Sequence, residues 1–283
     1  MKKNILIFIV SCLLVTRAGA LIIDAPNLHL FEKTVKDIDQ QSLVLFDVDD
    51  TLIVPKDLIL RLCAWDDLND YIMEALENPE VVAPEKYKGV YFLGQILSRM
   101  EFELVEPNIV SIIHSLQSRN IKAIALTKMR IGSYGVISSM EDWRIEHLKR
   151  LHIDFSLAFP QVSEIKINDL GFGPRALFKQ GLLCANKLDK GPALTAFLNN
   201  IGWMPAKVIF IDNRFDYLRS VEESLQGTGI EFLGFYYTAV ENRPCFVNEK
   251  LAKFQFLHLV KTGIWLGDME ALKLMKEAID GKD

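Results

Sequence analysis

Residues 43–52 read Leu43-Val44-Leu45-Phe46-Asp47-Val48-Asp49-Asp50-Thr51-Leu52. An unbroken apolar run stops abruptly against an acidic cluster. Such a run has no polar side to turn to water. As a strand it must be covered on both faces, which is the situation of a central strand in a parallel sheet. Asp47 and Asp49 stand two apart, so on extended backbone their side chains share a face. Two carboxylates brought together repel unless a cation or a shared proton relieves them. Asp is also an ordinary turn former, and an Asp-rich turn closing a strand accounts for these ten residues taken alone. The rest of the chain decides between that turn and a site with a nucleophile, an acid/base partner and a divalent metal.

Further apolar runs predict strands at 121–126, 153–157, 206–211 and 230–237. Helical spacing predicts helices at 29–40, 57–77, 92–100, 107–120, 141–152, 190–200 and 216–225, with 247–280 mostly helical. Asn78-Pro79 ends the second of these, and Pro107 opens the fourth in the position proline favours. Residues 172–186 read as an irregular hairpin turning near Gln180-Gly181, and Asp189 as the cap of the helix that follows. Strands alternating with helices indicate an α/β fold with a doubly wound parallel sheet. Ligands of such sheets sit at the carboxyl ends of the strands, near the switch point. Thr127 and Asp212 end two predicted strands as Asp47 ends the first, so three strands deliver polar groups to one edge.

Four stretches in order, Asp47-Val48-Asp49-Asp50-Thr51, then Thr127, then Lys190 in Asp189-Lys190-Gly191-Pro192-Ala193-Leu194, then Asp212-Asn213-Arg214-Phe215-Asp216, resemble the motifs of the haloacid dehalogenase superfamily in its phosphatase branch. The resemblance covers most of the chain beyond residue 20. It implies a Rossmann-like core at 21–52 and 120–283, with a helical cap inserted at 53–119 after the first strand. It implies hydrolysis of a small phosphate monoester through an aspartyl phosphate on Asp47. Asp49 would protonate the leaving oxygen and later deprotonate water, while Thr127 and Lys190 would hold the phosphoryl oxygens. Mg²⁺ would be held by Asp47, the backbone carbonyl of Asp49 and Asp212, with Asp216 reached through water. Asn213 stands where many relatives carry Asp.

Each of these residues also has an ordinary use. Thr127 reads equally as a strand end, Asp212 as a helix cap and Lys190 as a first-turn residue, although a positive charge there opposes the helix dipole. Trp65, Tyr71 and Phe92 fall in the expected cap, where aromatic residues usually serve packing. Arg61 and Arg130 could meet a second anionic group, or simply be solvated. Two other functions share the same residues: transfer of the phosphoryl group to an acceptor alcohol, and an exported binding or host-interaction protein with weak or lost catalysis.

The first twenty residues differ from the remainder. Lys2 and Lys3 precede an apolar stretch at 4–15, and Ala18-Gly19-Ala20 follows. That is the pattern of a secretory signal peptide, too short to span a bilayer comfortably. It predicts an exported protein, periplasmic or secreted, and no later run predicts an integral membrane segment. Removing 1–20 takes away Lys2, Lys3 and Arg17 and no acid, which leaves 29 basic against 37 acidic residues, a net of −8. An acidic chain argues against nucleic acid as a partner. The cysteines, Cys12, Cys63, Cys184 and Cys245, lack metal-ligand spacing. An oxidising compartment permits one disulfide among the last three.

Overall fold

A computed structural model describes residues 21–61, 64–77, 90–168, 174–244 and 246–280. The expected signal peptide, Cys12, Cys63 and Cys245 lie outside the described residues. Cys184 is buried and free.

The run 43–46 forms the centre of an eight-stranded sheet. This strand, β2 (Ser42–Phe46), lies between β5 (Lys122–Thr127) and β9 (Lys207–Asp212). Beyond β9 come β10 (Glu231–Tyr237) and, at the edge, β1 (Leu21–Ala25). Beyond β5 come β8 (Leu182–Cys184), β7 (Pro174–Lys179) and β6 (Glu164–Asn168). The six strands from β1 to β8 across the sheet pair in parallel, and β7 and β6 add antiparallel. The sheet is therefore α/β and mostly parallel, with β2 at the point where the chain turns from one flank to the other.

Alternation along the strands divides the core into two layers. Val44, Phe46, Ala123, Ala125, Ile209 and Ile211 face one side. There they meet α1 (His29–Val35), α4 (Ile109–Ser118) and α5 (Met140–Arg150) through Phe31, Ile112, Ile113 and Leu148. Leu43, Leu45, Ile124, Leu126, Val208 and Phe210 face the other. They meet α6 (Lys190–Ile201) and α7 (Phe215–Leu225) through Leu194, Phe197, Leu218 and Val221. The four apolar side chains of β2 are fully buried, each worth about 1.5–3 kcal/mol relative to exposure. That burial fixes β2 at the middle of the sheet and the acidic residues at its end.

Several elements depart from the sequence reading. The stretch expected as a strand at 153–157 is a turn leading into a short 3₁₀ helix, Ser156–Ala158. The cause is local: Ser156 N donates to Asp154 Oδ1 at 2.8 Å, and this Asx bond closes a turn. Residues 53–55, expected inside the insertion, form β3 (Ile53–Pro55), paired antiparallel with β4 (Phe102–Leu104). The long helix expected at 57–77 is a 3₁₀ turn at Leu58–Leu60 and then α2 (Trp65–Glu77). The hairpin at 172–186 does turn at Gln180-Gly181, whose φ values of 46° and 83° are both left-handed.

The packing also cuts across the expected domain boundaries of 53–119 and 120–283. Helix α4 belongs to the core layer over β2 and β5. Conversely, α8 (Glu249–Thr262) packs with α2 and α3 (Val90–Arg99). Ile59, Leu60, Leu68, Ala75 and Ile96 share one cluster with Ala252, Phe256, Leu259 and Trp265. The stack of Tyr71 on Phe256, with ring centroids 6.2 Å apart, is part of this joint. Buried Asp57 fastens it: one oxygen accepts from Trp265 Nε1 and the other from Asp268 N, each at 2.9 Å. Asp268 answers by accepting from Leu58 N at 3.1 Å. Terminal helix α9 (Asp268–Asp280) then packs on α8 around Leu266 and Ala271.

Candidate active site

Strand β2 stops at Phe46, and the backbone reverses at once. Val48 O accepts from Leu52 N at 2.9 Å and Ile53 N at 3.1 Å, and Asp50 N donates to Ile53 O at 2.8 Å. Asp50 sits at φ 60°, a left-handed conformation that Asp tolerates better than most residues. This tight reversal returns Thr51 to the end of the strand, where its hydroxyl donates to Asp47 Oδ2 at 3.0 Å. The same hydroxyl oxygen accepts from Asn213 N at 3.1 Å, tying the end of β2 to the end of β9. Asp47 N also donates to Ile211 O at 3.0 Å, extending the ladder one residue beyond β2.

Lys190, the first residue of α6, lies fully buried between two carboxylates. Its Nζ donates to Asp47 Oδ1 and, at 2.7 Å, to Asp212 Oδ2. The rings of Phe210 and Tyr217 flank the ammonium at 5.3 and 4.6 Å from their centroids. Asp212, the last residue of β9, uses its other oxygen to accept from Arg214 N at 2.8 Å. A buried charge is tolerated only when paired and hydrogen-bonded, and this trio meets that condition. Burial alone would pull the Lys190 ammonium down, but the Asp212 and Asp47 carboxylates hold it above the ordinary lysine range. Burial pushes Asp47 up against the opposing pull of Lys190. Burial and then repulsion from Asp47 push Asp212 up to about 7.

With both carboxylates ionised, Asp47, Asp212 and the Lys190 ammonium carry a net negative charge, which a bound cation or a retained proton relieves. Among the described residues no three His, Cys, Asp or Glu side chains are grouped to hold a metal ion. The ligand set implied by the resemblance has two carboxylates and one backbone carbonyl, which such a grouping of side chains would not include. Asp47, Asp212 and the carbonyl of Asp49 are all hard oxygen donors, a set whose chemistry fits Mg²⁺.

Asp49 diverges from Asp47 instead of sharing its face, because the turn begins at Val48. Half exposed, its carboxylate accepts from Arg144 Nη2 of α5 at 2.6 Å. Asp47 faces α6, in the opposite layer. The two remain close enough that Asp49 helps to raise the Asp47 carboxyl. Thr127 ends β5 and is buried, and its hydroxyl oxygen accepts from Met129 N at 3.1 Å. Strand alternation puts it on the α5 side with Ala123 and Ala125. The centre thus straddles the sheet edge, with Asp47, Lys190 and Asp212 on one side and Asp49, Arg144 and Thr127 on the other.

The sequence model of a family described as "Protein of unknown function (DUF2608)" matches residues 25–272. The chain belongs to that family. Relatives of this DUF2608 protein are bacterial. A protein of Chlamydia trachomatis serovar D, provisionally named as an outer membrane protein, is 24% identical over 92% of this chain and 94% of its own. An uncharacterized protein of Rickettsia prowazekii is 23% identical over 98% of this chain and all of its own. An uncharacterized protein of Rickettsia felis is 29% identical over 157 residues, so the match spans only 53% of each chain. Among solved structures, a haloacid dehalogenase-like family hydrolase from Streptococcus pneumoniae aligns over 68% of this chain and 92% of its own. Its TM-score of 0.34 and identity of 10% carry no argument about this protein.

Of the residues expected at the site, Asp47, Lys190 and Asp212 are in direct contact. Asp49 and Thr127 occupy the same edge. Asp216 does not join them: it is exposed, and its carboxylate accepts from Arg214 Nε at 3.1 Å and Nη2 at 2.9 Å. Asp189 stands at the start of α6, but its side chain makes no capping bond. Arg61 is spent on Pro55 O, Pro244 O and Glu103, and exposed Arg130 lies 4.3 Å over the Tyr134 ring. The side chains of Trp65 and Phe92 lie outside the described residues.

Thr51 and Arg144 have structural partners that the sequence reading did not give them. Thr51 was signalled by its place at the end of the acidic motif, four residues from Asp47. Arg144 was signalled by sitting one turn from both Met140 and Leu148, on the buried face of α5.

Proposed function

We propose that this protein is an exported, Mg²⁺-dependent phosphomonoesterase with a haloacid dehalogenase-like core, acting through an aspartyl phosphate on Asp47. The observation that carries the reading is the fully buried Lys190 ammonium bridging Asp47 and Asp212 at the ends of adjacent parallel strands. Such a bridge is costly to build into a core for stability alone, since apolar residues of similar size do as well or better. It is useful where a carboxylate must be held in one place beside an incoming anion.

In this reading Lys190 and the Thr51 hydroxyl fix the Asp47 carboxylate, and an Asp47 oxygen attacks phosphorus. The ester oxygen leaves with the proton of Asp49. Water then attacks phosphorus and gives its proton to Asp49, and the bond from phosphorus to the Asp47 oxygen breaks, which releases inorganic phosphate and returns Asp47 as carboxylate and Asp49 as acid. Thr127 offers its hydroxyl to a phosphoryl oxygen. Asp47, Asp212 and the Asp49 carbonyl would hold Mg²⁺, which supplies charge neutralisation between a dianionic phosphate and an anionic nucleophile. The elements β3, β4, α2 and α3, inserted between β2 and α4, would serve as the cap that selects the substrate.

Export is supported by the signal-like pattern at 1–20 and by the name of the chlamydial relative. No helix among the described residues is long and apolar enough to cross a membrane.

The test is release of inorganic phosphate from an aryl phosphate by the protein lacking residues 1–20, with Mg²⁺ and with EDTA. Turnover that is lost in EDTA and in Asp47→Asn supports the reading. Equal silence of wild type and variant over a broad ester panel overturns it in favour of an exported binding protein. Phenol release that rises with added alcohols, without matching free phosphate, assigns phosphoryl transfer instead.

A further inference from the structure

Arg144 differs from the other buried arginine of the insertion joint. Each nitrogen of Arg61 has an oxygen partner. Arg144 has a side chain only 5% exposed and one such partner, Asp49, while its Nε and Nη1 are buried without any. The guanidinium is held instead by aromatic rings, with Cζ 4.8 Å from the centroid of Phe102 and 4.7 Å from that of Trp143. Trp143 is fixed in turn by donating its Nε1 proton to Leu97 O at 3.2 Å and by packing on His147, 4.6 Å between centroids. Leaving two buried guanidinium nitrogens without acceptors is costly, and cation–π attraction offsets only part of it. A residue kept for stability would not be arranged so. What the arrangement does achieve is a cation that cannot move, aimed at one oxygen of Asp49.

Asp49 needs such a partner. Its side chain is half exposed, beyond the end of the strand, with this as its one ion pair among the described residues. A carboxylate in that position would otherwise sample several rotamers. An exposed ion pair between two flexible side chains contributes little. Here one partner is already locked, so the geometry of Asp49 is set without ordering both.

We propose that Arg144 is a positioning residue that holds the Asp49 carboxylate for proton transfer at the ester oxygen and at the attacking water. The proposal rests on the phosphomonoesterase reading and adds to it a residue outside the four motifs. Because Arg144 stacks on Phe102 of β4, it also links the acid/base group to the strand that closes the insertion.

The experiment is a double-mutant cycle on aryl phosphate hydrolysis with Arg144→Met, Asp49→Asn and the double variant, thermal melts confirming that each is folded. Arg144→Met is expected to lower kcat by about 30-fold, the scale of a misplaced catalytic group, while KM stays within about threefold. In the Asp49→Asn background the same change is expected to cost less than about twofold, because both act through one group. Arg144→Lys, which keeps the charge and loses the fork, should show the same non-additive pattern with a smaller loss, and it substitutes for Arg144→Met if that variant does not fold. Losses that multiply, a loss confined to KM, or a kcat within threefold of wild type overturns the assignment of Arg144 while leaving the phosphomonoesterase standing. A wild type without Asp47-dependent turnover overturns both.

Discussion

Gly191 is the residue through which packing most directly controls this site, since it follows Lys190 in the first turn of α6. Its backbone N–H donates to Ser220 Oγ of α7 at 3.1 Å. A Cβ built on Gly191 would lie 1.9 Å from Ser220 O and 2.3 Å from Ser224 Oγ. The serine hydroxyl can rotate away, but the Ser220 carbonyl belongs to the backbone of α7. Ordinary contact begins near 3.4 Å, so the two helices would have to part by roughly 3.4 − 1.9 = 1.5 Å. Leu194, Phe197, Leu218 and Val221 pack in the same cluster, and close-packed interiors do not absorb such a shift. Overpacking that side chains can relieve costs about 1–3 kcal/mol, and this clash is with backbone, so Gly191→Ala should cost about 3 kcal/mol. Without the clash the sign would reverse, because Ala is favoured over Gly in a helix by up to about 1 kcal/mol. The two cases differ by about 4 kcal/mol and in direction, well beyond the error of urea unfolding. The same displacement moves the Lys190 ammonium, so phosphate release should fall at least about tenfold, the scale of a misplaced catalytic group. A Gly191→Ala protein as stable as wild type, with unchanged turnover, would refute the close approach of α6 and α7 on which the placement of Lys190 depends.

Substitutions at two other residues test separate parts of the account. Thr51→Val removes the donor to Asp47 and the acceptor of Asn213 N; it should lower stability by about 1–3 kcal/mol, the cost of an unsatisfied buried donor. Phosphate release should slow in the same protein, whereas Thr51→Ser, which keeps the hydroxyl, should behave as wild type. At Asp57, burial raises the carboxyl above its ordinary 3.8. Between that value and the folded one the native state binds more protons than the unfolded chain, so stability falls as pH rises through the interval. Asp57→Asn stays neutral throughout and should flatten that fall in urea unfolding measured from acid to neutral pH. Parallel curves for variant and wild type would show that Asp57 does not titrate in this way.

The core was legible in the sequence because burial on both faces leaves a plain trace. The runs that became β2, β5 and β9 are apolar beyond their first residues, and each places its terminal residue at the same edge. The contact of Lys190 with Asp47 and Asp212 was foreseeable only from motif order, since nothing local in residues 189–194 points across 143 positions to Asp47. Other features depended on tertiary contacts. Strand β3 is three residues long and exists through pairing with β4, which a local pattern does not register. The docking of α8 onto α2 rests on Asp57, Trp265 and Asp268, whose types are unremarkable until they meet. Asp49 was expected beside Asp47 because period-two geometry holds on a strand, but the strand had already ended. Arg144 is not legible as a site residue because a basic residue followed two positions on by Glu146, and then by Lys149 and Arg150, reads as part of a solvated helix face.

The most direct test of the central claim is to find the phosphoryl group on the protein. Wild type turning over an aryl phosphate with Mg²⁺ is quenched in acid, and its peptides are examined by mass spectrometry. The account predicts an added phosphoryl group on the peptide containing Asp47, absent from Asp47→Asn and accumulating in Asp49→Asn, where deprotonation of the attacking water is impaired. Brisk phosphate release with no label on that peptide, or with label on a different residue, would contradict it.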